Sequence, residues 1–142
     1  VSLGEALRFN TTLTTLFLCG NKIGDTGAAP FGEALKTNST LTTLYLSDNN
    51  IGTTGAKLIG EALKTNTTLD TLDFSRNSIG DIGAVPIGEA LRTNTQLNIL
   101  NLSYNKLKNN SKIRIQFKDC KNYNYCQTTY LYLHFLNCYY LH

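Results

Sequence analysis

Apolar residues follow two alternating spacings along most of the chain. From Leu13 to Leu18 the leucines form the pattern L-x-x-L-x-L, which is typical of a short strand with one buried face. Ala28, Phe31 and Leu35 then recur at the spacing of one helix face. The same helical spacing returns twice further along the chain, at Ala56, Ile59, Leu63 and at Ala84, Ile87, Leu91. The pattern therefore predicts units that each consist of a strand followed by a helix.

These units repeat with a period of 28 residues, over 13–40, 41–68 and 69–96, and an incomplete unit begins at Leu97. The first two units are identical at 19 of 28 positions. A short strand and one helix cannot bury their apolar faces alone, whereas stacked copies share a continuous core. We therefore predict an α/β solenoid with a parallel sheet on one side and helices on the other. The predicted strands lie near 15–18, 43–46, 71–74 and 99–102, and the predicted helices near 26–37, 54–65 and 82–93.

The helix ends carry repeated signals. Polar residues suited to capping helix N-termini are Asp25, Thr53 and Asp81. Asparagines expected to end the helices in a left-handed conformation are Asn38, Asn66 and Asn94. Pro30 and Pro86 would then fall in the second helical turn, where proline removes a backbone hydrogen bond. We expect these two helices either to start late, with proline in the first turn, or to bend.

The pattern L-x-x-L-x-L-x-x-N-x-I-G, followed by G-A and G-E-A-L-K-x-N, resembles ribonuclease-inhibitor-type leucine-rich repeats. NOD-like receptors and the Ran GTPase-activating protein carry similar units. The resemblance covers residues 1–107 and implies a curved solenoid, with the parallel sheet on the concave side and the helices on the convex side. It also implies that the strands line a binding face. Residues 1–12 match the back half of a unit, so the array is expected to be truncated at its N-terminus.

One asparagine follows each predicted strand. The resemblance implies that it points inward and bonds backbone groups of neighbouring turns. Such bonds matter because a buried backbone group without a partner costs about 1–3 kcal/mol. A site for an external amide ligand is the alternative. The four residues of this structural ladder are Asn21, Asn49, Asn77 and Asn105.

Strand alternation places Leu16 and Leu18 inside and Phe17 outside. Two outward positions change in chemistry from unit to unit while their neighbours hardly change. Aromatic residues and arginine often dominate binding energy at protein interfaces, so this face has the composition of a protein-binding surface. The alternative is an ordinary solvent-exposed sheet. The candidate partner-binding residues are Phe17, Tyr45, Asp48, Asp73, Arg76, Asn101 and Tyr104.

Residues 108–142 form a second region that is rich in Tyr, Asn, Lys and Cys and has no repeat. It is either a divergent C-terminal cap or a non-native extension. The formal charge is −1 over residues 1–107 and +4 over residues 108–142, so the basic balance gives no support for nucleic-acid binding. The spacing of Cys120, Cys126, His134 and Cys138 lacks the close cysteine pair of a zinc site, and we predict no metal and no cofactor.

The sequence therefore predicts a non-catalytic protein-interaction module with a protein partner of unknown identity. The alternative is a regulatory repeat protein similar to the Ran GTPase-activating protein. No phosphate-binding loop and no nucleophile with a nearby base supports an enzyme. We also expect a cytoplasmic protein without membrane association, and self-association through exposed solenoid ends.

Overall fold

The computed structural model describes residues 2–107, in which four helices alternate with four strands. The zinc alternative at Cys120–Cys138 and the region 108–142 lie outside these described residues. In chain order the elements are α1 Leu3–Phe9, β1 Thr15–Phe17, α2 Gly24–Leu35, β2 Thr43–Tyr45, α3 Thr53–Leu63, β3 Thr71–Asp73, α4 Gly80–Ala90 and β4 Ile99–Asn101.

The strands form one parallel sheet in the order β1-β2-β3-β4, which confirms the predicted α/β solenoid. Each strand pairs with the residues one repeat away, so that Leu44, Leu72 and Leu100 stand opposite one another. These three leucines are completely or almost completely buried, together with the apolar faces of the helices. Burial of one such side chain contributes on the order of 1.5–3 kcal/mol. The core therefore runs continuously between the sheet and the helices.

The helices begin slightly earlier than the capping residues predicted. Helices α2 and α4 start at Gly24 and Gly80, which have φ values of +57° and +63°. Neither helix has a side-chain N-cap, so the assignment of Asp25 and Asp81 as N-caps was wrong. Helix α3 begins at Thr53 itself, which likewise does not cap it. A glycine in the left-handed region makes these turns because it has no Cβ to clash.

Asp25 instead caps the helix of the next repeat. Its Oδ1 atom accepts hydrogen bonds from the backbone N–H groups of Gly52 (2.7 Å) and Gly55 (2.8 Å), at the start of α3. These are donors that α3 cannot satisfy internally. The carboxylate thus joins two repeats at their helix N-termini.

Both prolines lie inside helices that begin at Gly24 and Gly80, so the alternative of a late start was wrong, and the alternative of a bend stays a prediction. Each proline faces a glycine of the preceding helix. A Cβ atom added to Gly4 would lie 2.6 Å from Pro30 Cβ, and one added to Gly60 would lie 2.9 Å from Pro86 Cβ. The lost backbone hydrogen bond is therefore accompanied by unusually close packing between neighbouring helices.

The asparagines after the helices do not adopt the left-handed conformation that the sequence predicted. Asn38 is buried and its Nδ2 group donates to the Leu7 carbonyl, 31 residues earlier, at 2.8 Å. Its Oδ1 atom accepts from the backbone N–H of Thr40 (3.0 Å) and of Leu41 (2.8 Å). Asn66 and Asn94 repeat the link to the preceding unit, at 2.7 Å each. These side chains form a row of inter-repeat bonds at the helix ends.

Candidate functional site

The candidate binding residues occupy two positions in each repeat. One is the last residue of the strand and the other lies in the turn that follows. We call them together the outer sheet face, which consists of Phe17, Tyr45, Asp73 and Asn101 on the strands and Asp48, Arg76 and Tyr104 in the turns.

Phe17 and Tyr45 form a stacked aromatic pair. Their ring centroids are 4.7 Å apart and the ring planes differ by 3°. This distance is close to the spacing of about 4.8 Å between adjacent strands, so each ring stands over its own strand. Phe17 is 69% exposed, while Tyr45 is half-buried. The pair presents a flat apolar surface to solvent at one end of the face.

The next two strands carry short polar side chains at the same position. Oδ1 of Asp73 accepts a hydrogen bond from the backbone N–H of Ser75 at 2.9 Å. Oδ1 of Asn101 does the same for Ser103, at 3.1 Å. Both side chains thereby satisfy an amide where the strand ends. The face changes from aromatic to polar between β2 and β3.

The turn positions share an unusual backbone conformation. Residues 20, 48, 76 and 104 have φ values of +71°, +56°, +52° and +57°, and only the first is glycine. In this conformation the N–H of Arg76 donates to the Ser103 carbonyl at 2.9 Å, and that of Asp48 to the Ser75 carbonyl at 3.1 Å. The inter-repeat ladder therefore continues beyond the strands. Large side chains rarely adopt such φ values, because their Cβ atoms crowd the backbone.

Arg76 and Tyr104 form the second pair on the face. The guanidinium carbon of Arg76 lies 4.9 Å from the centre of the Tyr104 ring, within the range of a cation–π interaction. Both side chains are exposed. The structure thus brings together Phe17 with Tyr45 and Arg76 with Tyr104. The 28-residue period indicates that the two members of each pair lie on neighbouring repeats, but not that their side chains meet.

Charges are distributed differently on the two sides of the molecule. Within residues 2–107 the ion pairs lie on the helices, where Lys36 contacts Glu33 at 2.7 Å and Lys64 contacts Glu61 and Glu89 at 2.8 and 3.1 Å. The hydrogen bonds that Nζ of Lys64 donates to the carboxylates of Glu61 and Glu89 raise the pKa of Lys64 above its ordinary value. Asp48 and Asp73 have no ion pair with any of the described residues. The carboxylates of the outer sheet face are therefore not neutralised by any residue in this part of the chain.

Beneath the face lies the row of buried asparagines that follow the strands. Asn77 is typical, because its Nδ2 group donates to the carbonyls of Leu46, Phe74 and Ser75 at 2.9–3.2 Å. Its Oδ1 atom accepts from the N–H groups of Asn49 and Ile51, at 3.1 and 2.9 Å. Asn105 makes the corresponding donor bonds, including one to the Phe74 carbonyl at 2.7 Å, and its Oδ1 atom accepts from the Ile79 N–H at 3.3 Å.

The first asparagine of this row differs from the expectation. Asn21 is exposed, and its Nδ2 group reaches only carbonyls of its own repeat, Leu18 at 2.9 Å and Cys19 at 3.3 Å. No described turn precedes it, so no second repeat covers it. In addition, the buried Oδ1 atom of Asn49 has no hydrogen-bond partner among the described residues. The link between the first two turns is therefore the weakest of the row.

The site offers groups for recognition. Among residues 2–107 there is no cluster of His, Cys, Asp or Glu side chains suited to a metal ion. No helix in this part of the chain is long and apolar enough to cross a membrane. Exposed aromatic rings, carboxylates that form no ion pair within residues 2–107, and Arg76 are groups that can contact another macromolecule.

Comparisons with known proteins agree with the architecture. The family model described as "Leucine Rich repeat" matches residues 9–32, 37–60 and 65–88, together just over half of the chain. A search of curated proteins found no match.

Two solved structures are similar over most of the chain. One is leiomodin-1 actin-binding site 2, with a TM-score of 0.77, 21% identity, and coverage of 87% of this chain and 75% of that one. The other is the tropomodulin C-terminal domain of Caenorhabditis elegans, with a TM-score of 0.51, 14% identity, and coverage of 96% and 99%. At these identities the similarity shows the fold alone.

Proposed function

Because the chain belongs to the leucine-rich repeat family, we propose that it is a non-catalytic protein-interaction module whose partner docks on the outer sheet face. The observation that carries this proposal is the contrast between the two sides of the molecule. The outer sheet face holds exposed aromatic rings, and its carboxylates form no ion pair within residues 2–107. On the helix side, Lys36 and Lys64 form ion pairs with Glu33, Glu61 and Glu89.

The residues of this face suit tight contact. Phe17 and Tyr104 are 69% and 62% exposed, which is high for large apolar side chains. Burial of such rings, and of an arginine, commonly supplies most of the energy at a protein interface. The backbone that carries them is already ordered by the sheet ladder and the asparagine row. A partner therefore binds without a large entropic cost of ordering this surface.

The nature of the partner follows from charge and family resemblance. We propose a protein partner, because residues 1–107 carry a formal charge of −1 and present no basic surface for nucleic acid. The repeat motif supports a ribonuclease-inhibitor-type array of the kind found in NOD-like receptors. We assign it to residues 1–107, with a cytoplasmic location and with self-association through the solenoid ends as a secondary property.

Actin is a second candidate partner. It is favoured by one observation, the similarity to leiomodin-1 actin-binding site 2 at a TM-score of 0.77. Cosedimentation of the chain with filamentous actin, and gel filtration with monomeric actin, test it directly. Regulation of a small GTPase is the remaining alternative, supported by the resemblance to the Ran GTPase-activating protein. If this alternative is right, the chain should capture a GTPase, and adding the chain should raise the rate at which that GTPase hydrolyses GTP.

Quantitative affinity capture tests the main proposal. The wild-type chain is compared with a sheet-face variant carrying Phe17→Ser, Tyr45→Ser and Arg76→Asn, where asparagine suits the left-handed backbone of residue 76. A helix-side variant with Lys36→Ser, Lys57→Ser and Arg92→Ser serves as the matched control.

We expect the sheet-face variant to lose a specific partner by about tenfold or more, which corresponds to about 1.4 kcal/mol, while the helix-side variant retains it. Circular dichroism confirms that both variants remain folded. Loss of the partner only from the helix-side variant would contradict the proposed surface.

A further inference from the structure

The aromatic stack on the outer sheet face stops after two strands. The Phe17 ring covers one face of the Tyr45 ring, with centroids 4.7 Å apart. Sheet register places Asp73 next to Tyr45 on the opposite side. Asp73 has a short side chain, so the position over β3 that would continue the stack contains a carboxylate and no ring. A flat group placed there would contact the second face of Tyr45.

The carboxylate at this position is only partly used by the protein. Oδ1 of Asp73 accepts from the Ser75 N–H at 2.9 Å. Its Oδ2 atom accepts no hydrogen bond from the described residues. Arg76 is the nearest cation in sequence, but its guanidinium lies over Tyr104 at 4.9 Å and makes no ion pair with Asp73. Asp48, in the turn after β2, adds an exposed negative charge without an ion pair within residues 2–107.

We propose that the space beside Tyr45 and Asp73 binds the guanidinium group of an arginine side chain presented by the protein partner. A guanidinium is planar, stacks on aromatic rings and donates two parallel hydrogen bonds to a carboxylate. A lysine ammonium has the charge but neither the plane nor the fork of donors. This inference rests on the proposed function and adds the chemistry of the partner to it.

The outer sheet face already carries a guanidinium packed against an aromatic ring. Arg76 packs against Tyr104, two strands away from Tyr45, on the same face. The geometry there shows that the spacing of the turns and strands accommodates a guanidinium beside a ring. At Tyr45, residues 2–107 supply the ring and the carboxylate but no cation. Charge complementarity therefore favours a cationic side chain of the partner at this position.

An NMR titration of the full 142-residue chain tests the site. The probe is the peptide acetyl-Gly-Gly-Arg-Gly-Gly-amide, with citrulline or lysine replacing arginine in two control peptides. Citrulline has the shape of arginine without its charge. We expect saturable shifts of the Tyr45 ring signals and of the Ser75 amide, with millimolar affinity for arginine.

We expect the citrulline peptide to bind about tenfold more weakly, because it loses the charge. The lysine peptide should bind about threefold more weakly, because it keeps the charge but loses the stacking on the ring. Equal binding of the lysine and arginine peptides would contradict a planar cation site. Shifts that do not saturate, or that lie away from Tyr45 and Ser75, would also overturn it.

Two variants and a matched control complete the test. Asp73→Asn retains the acceptor for Ser75, as Asn101 does for Ser103 in the next repeat, so the fold is preserved. We expect it to weaken arginine binding about tenfold, and Tyr45→Leu about threefold. Glu33→Gln removes an equivalent charge from the helix side and should change nothing. If Glu33→Gln weakened binding of the arginine peptide as much as Asp73→Asn, the binding would reflect general electrostatic attraction and the proposed site would be wrong.

The capture experiment separates this inference from the proposed function. If the sheet-face variant loses the partner while Asp73→Asn keeps it, and the arginine peptide does not bind, the arginine site is wrong and the binding face stands. If the sheet-face variant keeps the partner, the proposed function itself fails. Parallel loss of the partner and of the arginine peptide in Asp73→Asn supports both.

Discussion

At the residue scale, single asparagine side chains hold neighbouring repeats together. Asn77 satisfies two backbone N–H groups and three carbonyls from two repeats, and it is only 5% exposed. The same residue type at Asn21 makes two hydrogen bonds, both to its own repeat, and is exposed. The position of an asparagine in the array therefore decides how much it contributes to the stability of the link between repeats.

Asn77→Ala should therefore lower the free energy of unfolding by about 2–3 kcal/mol, because it leaves the buried amides of Asn49 and Ile51 without their acceptor. Asn21→Ala, the same change at the same position of the repeat, should lower it by less than about 1 kcal/mol. Urea denaturation followed by circular dichroism measures both values. Equal losses would show that the inter-repeat bonds of Asn77 carry little stability.

The sequence predicted the row of asparagines after the strands but misjudged those after the helices. Asn38 was expected to provide a left-handed turn, whereas it bonds the Leu7 carbonyl of the preceding repeat. A polar residue at a helix end fits both roles equally well in a single-repeat view. Only the arrangement of adjacent repeats distinguishes the two roles. The same arrangement explains why Asp25 caps the helix of the next repeat and not its own helix.

At the element scale, the strands agreed with the prediction to within a residue and the helices to within two or three. The helices begin early because Gly24 and Gly80 adopt positive φ values directly before the expected caps. Interhelical spacing was not predictable from hydrophobic periodicity. It depends on the contact of Gly60 with Pro86 and Ile87, residues 26 and 27 positions further along the chain.

Gly60→Ala should be more destabilising than Gly32→Ala. A Cβ atom on Gly60 would lie 2.7 Å from the backbone nitrogen of Ile87, whereas one on Gly32 would lie 3.1 Å from the Leu58 backbone. Backbone cannot move aside easily, so we expect a loss of about 1–3 kcal/mol for Gly60→Ala. For Gly32→Ala, the higher helix propensity of alanine should offset most of a milder clash.

Thermal denaturation of the two glycine variants compares them under identical conditions. Their helical environment is the same, so each is the other's control for propensity. A larger fall in melting temperature for Gly32→Ala would contradict close helix contact at Gly60.

At the scale of the whole molecule, the repeats are not equally well packed. Leu72 of β3 is completely buried, while Leu13, Leu16 and Leu18 around β1 are only partly buried. In the described residues, β1 has a strand partner on one side only. The exposed Asn21 and the unpaired Oδ1 of Asn49 mark the same end. The first unit should therefore open more readily than the third.

Hydrogen exchange measures this difference directly. Amides of residues 13–18 should exchange faster than those of residues 71–74, because local opening of the first unit exposes less apolar surface. The comparison within one sample controls for pH and temperature. Equal protection of the two segments would mean that the array opens only as a whole.

The outer sheet face was predictable in composition but not in geometry. Alternation correctly placed Phe17 outward, whereas the stack with Tyr45 and the pairing of Arg76 with Tyr104 depend on side-chain orientation. The face offers a partner an aromatic surface at one end, carboxylates without an ion pair within residues 2–107 in the middle, and a cation over a ring at the other end.

Site-specific photocrosslinking tests the central claim most directly. We would replace Phe17 with p-benzoylphenylalanine, which preserves an aromatic ring, and would place the same residue at the exposed position Lys57 on helix α3 as the control. With the partner recovered by affinity capture, irradiation should give a crosslinked complex from position 17 and none from position 57. A crosslink from position 57 without one from position 17 would contradict binding on the outer sheet face.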